Sequence, residues 1–499
     1  MPHHPPTETA ISAPGKVLLA GGYLVLDRDY TGTVFALNAR IHVVVQQLRQ
    51  EKGSKQSIKL ESSAHATENG HVNGFEGPNG HTNGISHVNG KQEQENGVQL
   101  EETITVRSPQ FINAVWEYKL QRTADRGGVK VQQTNDGPRN PFVETSLSYA
   151  LTYISYVSAS RSFGSLSITI IADNDYYSET AATYVPLENP GGFKNFGVRL
   201  QDAHKTGLGS SAALVTALVS ALVIHRTVHP EELAGFRGKL HNLAQAAHCA
   251  AQGKVGSGFD VAAAVYGSCY YRRFSPGVLS NLGDAGSPKF EERLFSVVED
   301  VELETPWDSE CIDIGSKLPR GMEMVLCDVD CGSETPGMVK KLLQWRDDNR
   351  EEADIIWGNL QLNNEKLRLE LQKQSTGLVG NFSEIRNLLM RSRLWLKTMT
   401  KKSGVPVEPM VQSELLDALC NVEGVIGGVV PGAGGYDAVV LLIEDNLAVV
   451  ESLSAFVKDW RSTVEDDFGG KIERVRLLGV GYGADGLRNE IPVRYCNWT

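Results

Sequence analysis

The sequence predicts an α+β fold in two halves, and three patterns carry that reading. Residues 10–50 are dense in β-branched and apolar side chains, with a break at Gly21-Gly22, as strands require. Between Asn140 and Tyr266, a capped helix start at Asn140-Pro141 and the stretches 207–226, 231–252 and 256–266 read as helices, around a strand at Ser165 to Ala172. Beyond Glu323, strand-like and helical stretches interleave again. At 499 residues the chain can hold two or three globular units with a sizeable core.

Taken in order, Val17 to Leu19 and Tyr23 to Leu26 predict strands flanking the Gly21-Gly22 break, followed by a strand over Thr33 to Val45. Residues 52–97 change character: Asn-Gly pairs recur at 69–70, 73–74, 79–80, 83–84 and 89–90, beside His71, His81 and His87. The histidines invite a metal reading, but the polar, low-complexity composition predicts a disordered insertion between two strands. Glu102 to Arg107 predicts a strand. Asn140-Pro141 joins a capping side chain to a first-turn proline and predicts a helix to about Ser158. Ser165 to Ala172 reads as a strand, 207–226, 231–252 and 256–266 as helices with their leading loops, and Cys269 to Phe274 as a strand. The Pro/Gly/Ser-rich stretch 275–320 predicts a linker. Then come a strand at Glu323 to Asp328, helices over 336–400 and 412–421, and strands near 425–430, 437–443 and 474–480. The expected division is 1–275, a boundary at 276–320, and 321–499.

Composition narrows the function. The formal net charge of −12 argues against nucleic acid or an anionic membrane as partner, since both need a basic face. A small anionic substrate needs only a local cluster of cations. The apolar run Ala212 to Ile224, interrupted by Thr216 and Ser220, is short for a bilayer and reads as a buried helix. Seven scattered cysteines with no CxxC pair, and no apolar core in Met1 to Thr9, predict a reducing, cytoplasmic setting.

The chemistry concentrates at Gly207-Leu208-Gly209-Ser210-Ser211-Ala212-Ala213, which runs straight into an apolar helix. Glycines allow close backbone approach to a ligand. The first turn of a helix leaves N–H groups free, and its dipole favours negative charge. The paired serines add hydroxyl donors or a ligand for Mg²⁺. This is a phosphate cradle, though not the Walker A type, whose Gly-Lys-Ser/Thr ending is missing. The bland alternative is a serine-capped core helix.

This string resembles the ATP-phosphate loop of the GHMP kinases. Ala13-Pro14-Gly15-Lys16-Val17-Leu18-Leu19-Ala20-Gly21-Gly22-Tyr23 resembles that family's first motif, and Pro431-Gly432-Ala433-Gly434-Gly435-Tyr436-Asp437-Ala438 its third. Three motifs in order span nearly the whole chain. Lys205-Thr206, His241 to Gln245, and Gln252 through Ala263 are similar to the eukaryotic branch that phosphorylates phosphomevalonate. The resemblance implies a two-domain GHMP kinase fold, with an N-terminal domain like ribosomal protein S5 domain 2 and a ferredoxin-like C-terminal domain. It also implies ATP and Mg²⁺ as cofactors, phosphomevalonate as acceptor, a place in sterol synthesis, and a monomer or homodimer.

Residue roles follow the same resemblance. Lys16 and Asp260 are the expected catalytic pair; the bland alternatives are a surface lysine and an aspartate N-cap. ATP falls to Lys205, Thr206, Gly207, Leu208, Gly209, Ser210, Ser211 and Ala212, and Mg²⁺ to Ser210 or Ser211. The substrate side falls to Arg139, Lys254, Ser257, Ser333, Gly434 and Gly435. The chain departs from relatives at Ala203, where many have proline; at Cys249, where hydroxyl-phosphorylating relatives have a metal-binding glutamate; and at Gly21-Gly22-Tyr23, where sugar and mevalonate kinases have Gly-Glu-His. The alternatives are another GHMP kinase, such as a mevalonate kinase, and a ligand sensor that kept the fold without catalysis.

Overall fold

The computed structural model describes residues 6–48, 102–158, 162–178, 192–302, 304–314, 318–330, 335–376, 381–465 and 468–499. The 52–97 insertion lies outside them, as does Ser333. Strands β1 (Glu8–Ala20), β2 (Thr31–Gln47), β3 (Thr103–Arg107), β4 (Val115–Arg122) and β5 (Val129–Gln133) precede helix α1 (Pro141–Val157). The Asn140 side chain caps α1 by accepting from the amide of Val143, with Pro141 opening the first turn. Strand β6 (Leu166–Ala172) and the short pair β7 (Tyr177–Ser178) and β8 (His204–Lys205) lead to α2 (Ser210–Thr227), α3 (Leu233–Gln252), α4 (Phe259–Tyr266) and β9 (Cys269–Arg272).

β2 organises this layer. β1 lies antiparallel along one edge of it. On the other edge β9 pairs with Thr31 to Val34 and β6 with Ile41 to Gln47. Both strands are buried nearly throughout because helices cover them. α2 is buried all round, packed among α1, α3, β1 and β2. That explains why it is also long and apolar enough, by composition alone, to cross a membrane: 72% of that window is buried inside the fold.

Two expectations fail locally. Tyr23 to Leu26 is not a strand; Leu24–Leu26 forms a single 3₁₀ turn. Its apolar residues serve two separate cores, Tyr23 and Leu24 in one and Val25 in another, which a flat strand could not do. The stretch read as a linker holds α5 (Phe290–Glu299) and β10 (Glu310–Asp313). Phe290, Leu294 and Val298 form a buried stripe on α5, and β10 pairs with β9.

The second half contributes β11 (Met322–Val329), α6 (Thr335–Asp348), α7 (Arg350–Ser375), α8 (Ser383–Ser403), α9 (Met410–Cys420), β12 (Val425–Val429), β13 (Ala438–Glu444), α10 (Leu447–Asp459) and β14 (Val475–Leu477). They make an antiparallel sheet in the order β12-β13-β11-β14. The chain then returns to the first sheet: β15 (Tyr482–Gly483) pairs with β2 and β16 (Arg488–Glu490) with β1. Buried Arg40 secures this return. It donates to Ser12 Oγ at 2.6 Å and Ser12 O at 2.9 Å, and to the carbonyls of Asp485 and Gly486. Burial lowers the Arg40 pKa to about 10.

Gly267 closes α4 at φ 95°, and a Cβ there would lie 2.1 Å from the carbonyl oxygen of Ala484. Gly253 closes α3 at φ 67° with open space around it. We predict that Gly253→Ala costs about 1 kcal/mol, the left-handed penalty alone. Gly267→Ala must also displace backbone and costs at least about 3 kcal/mol. Urea unfolding of both variants checks this; equal losses would show that the Ala484 contact imposes no constraint.

Candidate active site

The glycine loop is anchored before it reaches α2. Thr206 is buried, its amide donating to Tyr176 O at 3.2 Å and its hydroxyl to Asp175 O at 2.6 Å. Gly207 and Gly209 take left-handed φ of 73° and 81°. No side chain caps the start of α2, so its first amides are available to a ligand.

The loop is joined to β1 through backbone. The amide of Lys16 donates to Leu208 O at 2.9 Å. A Cβ on Gly15 would lie 2.8 Å from that same oxygen and 2.9 Å from the Tyr176 hydroxyl. The pairing of β1 with β2 shifts between Pro14 and Lys16, an irregularity that re-aims the lysine. Its stem lies against Gly209, where a Cβ would come within 2.9 Å of Lys16 Cε.

Burial pushes the Lys16 ammonium below its ordinary pKa, and the Asp260 carboxylate works against that shift. The ammonium also sits 5.5 Å from the Phe259 ring centroid. Asp260 is in the first turn of α4, whose N-cap is Gly258 and not the aspartate. Its Oδ1 accepts from the amide of Val261 at 3.0 Å. The loop before it is held from behind. Tyr271 donates to Ser257 O at 2.7 Å, and Arg273 donates to Gly256 O at 2.9 Å and Val255 O at 3.1 Å. Arg272 is likewise occupied, with Arg28 O at 3.0 Å and Glu310 at 3.2 Å.

α3 supplies a connection between these parts. His248 Nδ1 lies 4.0 Å from Asp260 Oδ2, and its Nε2 lies 3.2 Å from both Ser211 Oγ and Gln252 Nε2. The third glycine segment closes the far side. Gly432 N donates to Leu18 O at 3.0 Å, and the Tyr23 hydroxyl to Ala433 O at 2.8 Å. Gly434 has φ 72°, and a Cβ there would fall 2.0 Å from Val407 O.

Two cavities result. The larger, about 340 Å³, is lined by Lys16, Thr206, Gly207, Leu208, His248, Lys254, Ser257, Asp260 and Gly434, among others. The smaller, about 90 Å³, has Phe111, Trp116, Phe142 and Tyr177 beside Asn140, Lys205, Ser210 and Ser211. The structure therefore brings most of the expected residues together. Ala212 is buried within α2, and Gly435 is spent on a hydrogen bond to Val407 O; neither lines a cavity. Arg139 does not reach the site: its side chain is 77% exposed and pairs with Glu144. Among the described residues no cluster of three or more His, Cys, Asp or Glu could hold a metal. The sequence reading missed the aromatic wall, which is assembled from distant segments, and His248. The signal for His248 was present: Gln245, His248 and Gln252 recur at i, i+3 and i+7 on a helix otherwise rich in alanine.

A family model described as the GHMP kinases N terminal domain matches residues 188–268. A phosphomevalonate kinase of Aspergillus fumigatus is 62% identical over 99% of this chain and 99% of its own, and one of Gibberella zeae is 43% identical over 98% of each. A peroxisomal phosphomevalonate kinase of Arabidopsis thaliana is 30% identical over 86% of this chain and 88% of its own. Among solved structures, a Streptococcus pneumoniae phosphomevalonate kinase in complex with phosphomevalonate and AMPPNP shares the fold. Its TM-score is 0.54 at 13% identity, over 94% of this chain and 99% of that one.

Asp260 is the group that opposes the desolvation of Lys16. Replacing it with asparagine removes that opposition, so the Lys16 pKa must fall further below 10.5. An NMR titration of ¹³Cε-labelled lysine is expected to show the Lys16 resonance changing at lower pH in Asp260→Asn than in wild type. An unmoved titration would rule out the coupling.

Proposed function

This chain belongs to the phosphomevalonate kinase family: it moves the γ-phosphoryl of ATP onto the phosphate of phosphomevalonate, giving diphosphomevalonate and ADP, and we propose that the cleft between Lys16 and Asp260 is where the transfer occurs. The observation that carries this assignment is the backbone bond from Lys16 to Leu208, which holds a buried ammonium beside the phosphate loop.

In this reading the triphosphate lies on the amides of Gly207 to Ser211. The adenine enters the smaller cavity, where Phe111, Trp116, Phe142 and Tyr177 offer apolar and aromatic surface. Phosphomevalonate occupies the larger cavity, with Lys254 and Ser257 as its polar contacts and Gly434 leaving room beside it. An oxygen of its phosphate attacks the γ-phosphorus as the bond to the β,γ-bridging oxygen breaks, and ADP departs with that oxygen.

The acceptor is a phosphate monoester with a second pKa of about 6, so it reaches the site largely deprotonated. A strong general base is not needed. The harder task is to bring two polyanions into line, which calls for positioning and charge stabilisation. Lys16 supplies a fixed positive charge at the transferring group. Asp260 keeps that lysine protonated and oriented, and takes any residual proton from the acceptor.

Mg²⁺ fits the donor set. The Ser210 and Ser211 hydroxyls are hard oxygen ligands at the mouth of the phosphate cradle, and this ion commonly takes only one or two protein ligands besides water and phosphate. When bound it would neutralise charge on the β- and γ-phosphate oxygens. The cytoplasmic setting and a monomeric or homodimeric state belong to our reading as well. The former is supported by the free thiols of Cys249, Cys269, Cys311, Cys327, Cys420 and Cys496.

Coupled ADP release against mevalonate, phosphomevalonate, homoserine and galactose tests the activity. Turnover is expected with phosphomevalonate alone, and activity confined to any other member would overturn it. Within that assay Lys16→Met is expected to abolish turnover, by roughly a thousandfold or more for the loss of a transition-state charge contact. Asp260→Asn should retain most of kcat at neutral pH. Equal losses would mean that the two side chains act as one unit and that screening by Lys16 does not dominate.

A further inference from the structure

We propose that His248 is a positioning residue that aims the Ser211 hydroxyl at the phosphate-bound cation and steadies the Asp260 carboxylate; this rests on the active-site reading above. The side chain is 3% exposed, and it sits between the cradle and the catalytic aspartate, on the α3 side and apart from Lys16.

We read the ring's roles from the groups that face it. The nitrogen of the Gln252 amide can only donate, so Nε2 of His248, 3.2 Å away, accepts. The ring proton then resides on Nδ1, which faces Asp260 Oδ2 at 4.0 Å. With Nε2 an acceptor, the Ser211 hydroxyl at 3.2 Å is a second donor sharing its lone pair with that amide. Its proton is thereby drawn toward α3, and its lone pairs are left to face a ligand. A free serine hydroxyl rotates to suit its surroundings and could equally donate to a phosphate oxygen. His248 removes that choice and leaves Ser211 an acceptor, the state a metal ligand requires. Phe142, whose ring centroid is 6.0 Å from that of the imidazole, packs near it. A neighbour that orients a ligand in this way characteristically changes metal affinity when removed.

Three variants separate the two ends of the ring. Glutamine carries an amide group out to the position of Nε2, and asparagine places an amide nitrogen near Nδ1. Titration calorimetry with AMPPNP, with Mg²⁺ and in EDTA, reads the cradle end, and the pH at which the ¹³Cε resonance of Lys16 titrates reads the Asp260 end. In His248→Ala we expect the Mg²⁺-dependent gain in AMPPNP affinity to shrink roughly tenfold or more, with metal-free affinity unchanged. His248→Gln should restore that gain, whereas His248→Asn should return the Lys16 titration to its wild-type position without it. The near-isosteric pair keeps the test open should the alanine variant fail to fold. The proposal is overturned if the Mg²⁺-dependent gain stays at the wild-type value in all three, or if affinity falls equally with and without the metal. A wild-type protein that phosphorylates nothing on the substrate panel would instead sink the functional reading, since the AMPPNP and Mg²⁺ titration does not depend on turnover.

Discussion

The hydrogen bond from the Lys16 amide to the Leu208 carbonyl is the constraint on which the site depends. It is made by backbone on both sides, so the distance between the phosphate cradle and the lysine is set by strand and loop geometry and not by side-chain rotamers. Gly15 and Gly209 keep the approach this close, because a Cβ at either position would collide with what it faces. The lysine stem is then confined against Gly209, and its charged end has little freedom left to lose when substrates arrive. Burial has an electrostatic consequence as well. A desolvated ammonium interacts more strongly with phosphate charge than a solvated one, but it also gives up its proton more easily. Asp260 resolves that conflict. In the proposed mechanism one aspartate therefore serves the lysine before it serves the substrate.

The same logic extends outward from β1. Gly432 bonds to Leu18, two residues beyond Lys16, and Gly22 leaves no space for a side chain against the Gly432 carbonyl. The first and third glycine segments thus meet backbone to backbone, as the first and second do. β1 is held from behind by the returning C-terminal segment through β16 and through Arg40, which bonds to β1 and to carbonyls of that segment at once. Residues remote from the cleft in sequence consequently fix the strand that carries its lysine.

What could be read from the sequence follows from where the determining interactions lie. The cap at Asn140-Pro141, the helix after Gly209 and the alternating strands are local patterns, and they stand where expected. The three glycine segments were legible because close backbone approach and left-handed φ leave few residue choices. Tyr23 to Leu26 misled because an apolar tetrapeptide does not say that its side chains will be divided between two cores. α5 was hidden by the prolines and glycines around it, although its stripe of Phe290, Leu294 and Val298 was in plain view. Arg139 adjoins a helix start, but Glu144, one turn into α1, claims its charge. The aromatic wall of the smaller cavity draws on Phe111, Trp116, Phe142 and Tyr177, whose convergence only the tertiary fold decides.

The charge around the larger cavity bears on how it receives its substrates. Its described lining includes the cations Lys16 and Lys254 and the anions Asp260 and Asp437, which formally cancel. A reaction between two phosphates therefore meets a cleft with no large excess of positive side chains. Among the described residues, part of the attraction then falls to groups that carry no formal charge in the sequence. The start of α2, with its uncapped amides, presents the equivalent of about half a positive charge. It does so in a fixed direction and with no side-chain entropy to lose. In the proposed mechanism a metal ion arriving with the nucleotide would add the rest, held through hydroxyls and not carboxylates, so the protein would not cancel the charge it borrows. In that reading an acidic chain handles polyanions because its backbone provides the fixed positive end, beside a lysine placed to follow the charge that moves.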